Sequence, residues 1–318
     1  MTAPATLRAV SRADVEALLD YPSLIDRLEA AFSADVTAPL RHRHDLPGSD
    51  GGGLMLIKPA WRQGGPVAVK IVNVFPDNAQ QGLSAVQGTV VLFDGDTGVP
   101  CAVIDGQALT NRRTAAASAL AARFLAAPGA SVHLVVGTGQ LAPELVRAHA
   151  AIRPIERHLV WGRSPEKAAT LAELLRREGL AAEVAADISA AASEADIISC
   201  ATLSTAPLVL GDWLKPGAHL DLVGGYRPDM RETDDAAIRL CRIYVDTREG
   251  ALAEAGDLTQ PMEAGLLTAD GIAGDLAQLC AGSVAGRRSD TERTLFKSVG
   301  TAVEDLAAAE LVWDRMAK

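Results

Sequence analysis

The run Val132-His133-Leu134-Val135-Val136 leads without a break into Gly137-Thr138-Gly139-Gln140-Leu141-Ala142, a G-x-G-x-x-A pattern set between a strand-like and a helix-like segment. Each small residue has a steric purpose there. Gly137 permits a tight turn, Gly139 lets the backbone approach a pyrophosphate, and Ala142 lets the helix pack closely on the strand. The N–H groups and partial positive charge at the helix start favour phosphate. Dinucleotide binding is the chemistry such a turn performs. The second strand-like run ends Leu159-Val160-Trp161-Gly162-Arg163-Ser164-Pro165, where an NAD enzyme usually carries Asp or Glu for the ribose 2′-OH. Arg163 and Ser164 suit a 2′-phosphate instead, so NADPH is expected over NADH.

A second set of residues could hold an anion. Thr110 is read as the cap of an Ala-rich helix with Arg112 and Arg113 in its first turn, where the helix dipole disfavours cations. An anionic partner is therefore expected, and Arg113 could grip a carboxylate bidentately. Lys70 stands inside the apolar run Val67-Ala68-Val69-Lys70-Ile71-Val72; alone, a lysine there reads as the solvated face of a strand. Arg41-His42-Arg43-His44 is a basic cluster that by itself reads as an exposed loop.

The elements that must position these groups follow from periodicity. Residues 12 to 33 repeat as one amphipathic helix after Ser11. From 54 to 105 short runs (Leu54 to Ile57, Val67 to Val74, Thr89 to Phe93, Ala102 to Ile104) alternate with Gly and Asp-Asn turns, which predicts a small, largely antiparallel sheet. The Ala-rich helix stops at Pro128-Gly129. Beyond it, runs at 132–136, 159–161, 183–185, 197–200, 220–223 and 243–245 alternate with helix-sized segments, the pattern of a parallel sheet with helices on both faces. Thr294 to Met316 reads as one closing helix. The expected fold is α/β, a Rossmann doubly wound parallel sheet over 128–300 plus a smaller α+β lobe from 1–127 with 301–318.

Composition narrows the partners. Lys and Arg total 30 against 40 Asp and Glu, a formal charge of −10 over 318 residues, so nucleic acid and anionic membranes gain no support. No apolar stretch reaches the roughly 18 residues that span a bilayer, and no signal peptide is read, which points to the cytoplasm. Cys101, Cys200, Cys241 and Cys280 form no C-x-x-C pair and read as buried reduced thiols; no metal site is expected.

Together, Pro39-Leu40-Arg41, Val69-Lys70, Asp105-Gly106, Arg112-Arg113-Thr114-Ala115-Ala116, the 137–142 turn, Ala201-Thr202-Leu203-Ser204-Thr205, His219 to Gly225 and Phe296-Lys297-Ser298-Val299-Gly300 resemble the ornithine cyclodeaminase/mu-crystallin family over nearly the whole chain. The resemblance implies a homodimer with a substrate and dimerisation lobe and a Rossmann lobe. It implies that Arg41, Lys70 and Arg113 hold a substrate carboxylate, joined by Gln87 and Gly300. It also implies that Thr202, Ser204, Val223 and Val299 line the cofactor. Cyclodeaminases carry an aspartate after the Gly-Gly, where this chain has Tyr226; a phenol is no counter-ion for an amine at neutral pH, so ornithine deamination is disfavoured. The stretch 227–235 is similar to the ketimine-reductase branch. The expected reaction is NADPH-dependent reduction of a cyclic imine carboxylate, Δ1-pyrroline-2-carboxylate to L-proline, with the six-membered homologue giving L-pipecolate left open. His44 and Tyr226 are the candidate proton donors, and Lys70 is counted with them as catalytic. An alanine-type dehydrogenase, a cyclodeaminase and a non-catalytic NADP(H)-dependent binding protein are the competing readings.

Overall fold

Alternation of buried and half-exposed positions shapes the first sheet. In the computed structural model, which describes residues 7–47 and 52–316, its strands are β1 (Arg8–Val10), β2 (Val36–Thr37), β3 (His42–Leu46), β4 (Gly53–Arg62), β5 (Val67–Val74), β6 (Val86–Phe93) and β7 (Pro100–Asp105). Their order is β1-β7-β6-β5-β4-β2, with β3 also on β4. Every pairing but β1 with β7 is antiparallel. Lys58, Ala60, Ala68, Lys70, Val90, Leu92, Ala102 and Ile104 all face the buried side, which the helix Ala302–Met316 covers at β4, β5 and β6. The single helix expected over 12–33 is two, Arg12–Leu18 and Tyr21–Phe32. Asp20 accepts from the Ser23 N–H as a fresh N-cap ahead of Pro22, and such a cap starts a helix wherever it falls.

The Ala-rich helix also begins earlier than expected. It spans Gly106–Leu125, with Asp105 Oδ1 accepting from the Ala108 N–H at 2.7 Å. Thr110 is therefore not its cap, and Arg112 and Arg113 lie in its second turn. The chain forms two compact units, 1–113 with 301–318 and 114–300. Their division falls inside this helix, where the Pro128-Gly129 stop suggests 127/128.

The second unit is an all-parallel sheet of β8 (Val132–Val136), β9 (Arg157–Trp161), β10 (Ala182–Val184), β11 (Ile197–Cys200), β12 (His219–Leu222), β13 (Arg242–Val245), β14 (Ile272–Asp275) and β15 (Thr294–Lys297). The order is β10-β9-β8-β11-β12-β15-β13-β14, so strand succession reverses beside β8, the switch point at which such sheets bind ligands. β15 corrects the reading of 294–316 as one helix. Thr294–Lys297 is a fully buried strand between β12 and β13, and the helix starts only at Ala302. Four apolar-rich residues fit either period, so spacing alone could not separate strand from helix.

Candidate functional site

The glycine turn sits at the C-terminal end of β8. Gly137 has φ 126°, and a Cβ there would lie 2.6 Å from the Ala201 carbonyl oxygen, so only glycine fits. Its N–H donates to Trp161 O at 2.9 Å, and Ala142 N donates to Gly139 O at 3.1 Å. Gln140 then leads into the helix Leu141–Ala150. A Cβ on Gly139 would meet nothing within 4 Å; its smallness serves no protein packing and leaves room for a ligand. The turn opens on a cavity of about 450 Å³ lined by Gly137, Thr138, Gly139, Arg163, Thr202 and Ser204, among others. That size suits part of a dinucleotide.

At the second strand, Arg163 is exposed on the cavity rim. Ser164 is the N-cap of the helix Pro165–Arg177, accepting from the Lys167 N–H and donating to Glu166 at 2.7 Å. Its hydroxyl is engaged locally. Lys167, which sequence reasoning missed, supplies a second cation to the same cavity; its place three residues past a cap was the available signal.

Three buried carboxylates, Glu232, Asp257 and Asp246, organise the loops after β11, β12 and β15, and none was anticipated. Glu232 Oε1 accepts from Thr202 N at 2.7 Å and Thr202 Oγ1 at 2.8 Å. Its Oε2 accepts from Gly224 N at 2.8 Å and Gly225 N at 3.2 Å. Burial pushes the Glu232 carboxyl up, and Lys297 opposes it. Asp257 accepts from Glu232 N and pairs with Lys297 Nζ at 3.0 Å. Asp246 Oδ2 accepts from Ser298 Oγ, Val299 N and Gly300 N at 2.6–3.0 Å. Thr202 thus turns its hydroxyl toward Glu232, while Val223 and Val299 are buried close to these loops.

The first unit carries the anion cluster. The β4–β5 register sets Lys58 directly opposite Lys70, and both are buried, 5% and 2% exposed. Lys70 is therefore not on a solvated face. Its Nζ donates to Asp305 Oδ1 at 2.7 Å and lies 3.4 Å from Thr110 Oγ1. Arg113 pairs with Glu304, and its Nε is 3.0 Å from Asp305 Oδ1. Lys58 Nζ is 3.7 Å from Asp305 Oδ2. Burial alone would raise the Asp305 carboxyl, but Lys70, Arg113 and Lys58 outweigh it and hold it well below the usual range. Burial, then Arg113, holds the Lys70 ammonium well below its ordinary value. Burial also brings Lys58 down to about 8 against the pull of Asp305, with Arg41 adding to the fall.

Glu304 and Asp305 are the anionic partners of Arg113, whereas Arg112 donates to the Glu16 carbonyl and lies over the Tyr21 ring. Both carboxylates stand in the first turn of their helix, where its dipole favours negative charge. Other expected residues lie elsewhere. His44 is opposite Met55 and His42 opposite Ile57, which places both exposed imidazoles on the sheet face away from Lys58 and Lys70. Gln87 is opposite Asn73 on that same far face, its exposed amide donating to Ser84 O at 3.1 Å. Tyr226 belongs to the second unit, in the loop after β12, 37% exposed.

The doubly wound parallel sheet and its glycine turn define a dinucleotide-binding α/β protein. The pattern of the ornithine cyclodeaminase/mu-crystallin family matches residues 7–318, and the chain belongs to that family. A Δ1-pyrroline-2-carboxylate reductase of Paracoccus denitrificans is 40% identical over 289 residues, 87% of this chain and 91% of its own length. The structure of Thermococcus litoralis Δ1-pyrroline-2-carboxylate reductase in complex with NADH and L-proline superposes with TM-score 0.92 at 32% identity, covering 98% of both chains. An archaeal alanine dehydrogenase dimer with bound NAD gives TM-score 0.90 at 27% identity, covering 98% of this chain and 96% of its own.

Proposed function

We propose that this protein reduces the C=N bond of a cyclic ketimine carboxylate, Δ1-pyrroline-2-carboxylate to L-proline, at the expense of a reduced nicotinamide dinucleotide. The observation that carries this reading is the buried cation cluster, in which Lys70 and Arg113 are held in place by Asp305 and Glu304. The names of the relatives supply the ring imine. Arg41, Lys70 and Arg113 bind the substrate carboxylate, and fixing that group orients C2, so much of the rate gain is positional. The open space at Gly139 supports the glycine turn as the seat of the dinucleotide; when bound, the cofactor supplies the hydride that C2 accepts. The imine nitrogen takes one proton. Because His44 is on the far sheet face, Tyr226 is the remaining proton-donor candidate, and Tyr226→Phe should then lower kcat about tenfold or more.

Arg163 and Lys167 favour NADPH, with NADH as the second cofactor. The half-exposed face of the first sheet, with Pro59, Val69, Val91 and Val103 in one row, supports a homodimer that light scattering would test. The compartment is taken as the cytoplasm, in keeping with the composition. The deciding assay is loss of NADPH absorbance with Δ1-pyrroline-2-carboxylate and Δ1-piperideine-2-carboxylate. Turnover on neither sinks the reading. The likeness to an alanine dehydrogenase favours a second reading, reductive amination of pyruvate through the same clamp, and NADPH loss with pyruvate plus ammonium but not with the imines would select it.

A further inference from the structure

Hydrogen-bonded strands lie about 4.8 Å apart, so a row of directly opposed residues has a fixed order along the sheet. The β3–β4 pairing sets His42 opposite Ile57; Arg41 immediately precedes His42, at the edge of that pairing, and its charge acts on Lys58. The β4–β5 pairing sets Lys58 opposite Lys70. Arg41 and Lys70 thus flank Lys58, their backbones roughly 10 Å apart across two strand spacings. A single carboxylate reached from both sides lies over the residue between them.

We propose that Lys58 is a direct ligand of the substrate carboxylate, the middle of a cationic row Arg41, Lys58, Lys70 that Arg113 completes from the neighbouring helix. This rests on the ketimine-carboxylate reading and adds a residue to its site. Like charges directly opposed on neighbouring strands repel, and Lys58 and Lys70 are both buried, so such a pair is stable where anions lie against both. Asp305 is one such anion, with Oδ1 at 2.7 Å from Lys70 and Oδ2 at 3.7 Å from Lys58. The substrate carboxylate is the other. An ionised carboxylate offers about four lone-pair sites, so four cationic donors can be accommodated on one group. The site accordingly selects substrates by the carboxylate and leaves the ring to shape.

The test compares wild type with Lys58→Met and Lys58→Arg. Lys58→Met should raise KM for Δ1-pyrroline-2-carboxylate, and Kd for L-proline by calorimetry with NADP+ present, by roughly thirtyfold, the scale of a lost charge-assisted hydrogen bond. Kd for NADPH, read by fluorescence, should stay within about twofold, and Lys58→Arg should recover most of the loss. Carboxylate affinity unchanged in Lys58→Met overturns the assignment. So does a parallel loss of NADPH and proline binding that Lys58→Arg does not rescue, which would make Lys58 a purely structural partner of Asp305. If wild type reduces no imine, the ketimine reading falls by itself; titration of pyruvate and L-proline then judges Lys58, and equal affinities in wild type and Lys58→Met overturn its role.

Discussion

Lysine inside an apolar strand is ordinarily a surface residue. Lys70 is not, because its cross-strand neighbour Lys58 and the helical carboxylates Asp305 and Glu304 turn a buried sheet face into an ionic one. Burying such charges costs several kcal/mol per ion unless they are paired and hydrogen-bonded, which is why the cluster includes acids as well as bases. Its groups also set a pH dependence. Lys58 faces Asp305 and Glu304 from the helix, Lys70 from β5, and the guanidinium groups of Arg41 and Arg113. It carries charge below about 8 and loses it above. Affinity for L-proline, whose carboxylate does not titrate there, should weaken as pH rises through about 8; calorimetry giving a constant Kd from neutral to about pH 10 would count against it. At the cofactor rim, Arg163→Ala should raise KM for NADPH about tenfold while leaving that for NADH nearly unchanged. Equal effects on both cofactors would remove Arg163 from the 2′-phosphate.

At the scale of elements, the loops at the C-terminal ends of the parallel strands form the proposed cofactor site, and their shape depends on Glu232. Its two oxygens gather four donors from the β11 and β12 loops. A Cβ on Gly224 would come within 2.4 Å of Glu232 Oε1, so the glycine is what allows this approach. Glu232→Gln keeps the shape but sets an NH2 group against N–H donors. The expected cost is about 1–3 kcal/mol, a melting temperature lower by roughly 3–10 °C and weaker dinucleotide binding by fluorescence. A variant that melts and binds like wild type would show that the loops hold without the carboxylate. Sequence reasoning missed Glu232 because an acid shortly after a Gly-Gly has no local signature, and two of its four donors come from Thr202, thirty residues earlier.

For the whole molecule, the second unit encloses four histidines, His133, His149, His158 and His219, each no more than 1% exposed. His133 and His149 both contact Ser199 Oγ at 3.1 Å, and Ser199 donates to Asp221 at 2.8 Å. Burial, aided by His149, holds His158 down to about 4. Burial also outweighs the pull of Asp221 and holds His219 down to about 3, with Arg287 and Arg153 adding to the depression. Unfolded histidines take up protons near pH 6.5. Below that value the unfolded chain therefore binds more protons than the folded one, and stability falls with pH until the folded values are reached. Thermal melts by circular dichroism should show a loss that sets in below about pH 6.5 and continues toward about 4. A melting temperature constant from pH 7 to about 5 would mean that His158 and His219 are not held neutral in the folded chain.

The strand, glycine turn and helix proposed to cradle a dinucleotide were legible in sequence because they are contiguous and follow one another within about twenty residues. Four of the antiparallel strands, β4 to β7, and most of the parallel ones were legible for the same reason, since period and turn residues are local; β2 was not read, and β3, taken for an exposed loop, is a strand only through its pairing with β4. Register is not local. That Lys58 stands opposite Lys70, that His44 and Gln87 face the other way, and that Asp305 enters from a helix more than two hundred residues later were decided only when the strands paired and the closing helix packed. The insertion of Thr294–Lys297 between β12 and β13 was decided there too. A four-residue run has no period of its own, and only the backbone hydrogen bonds of its neighbours make it a strand.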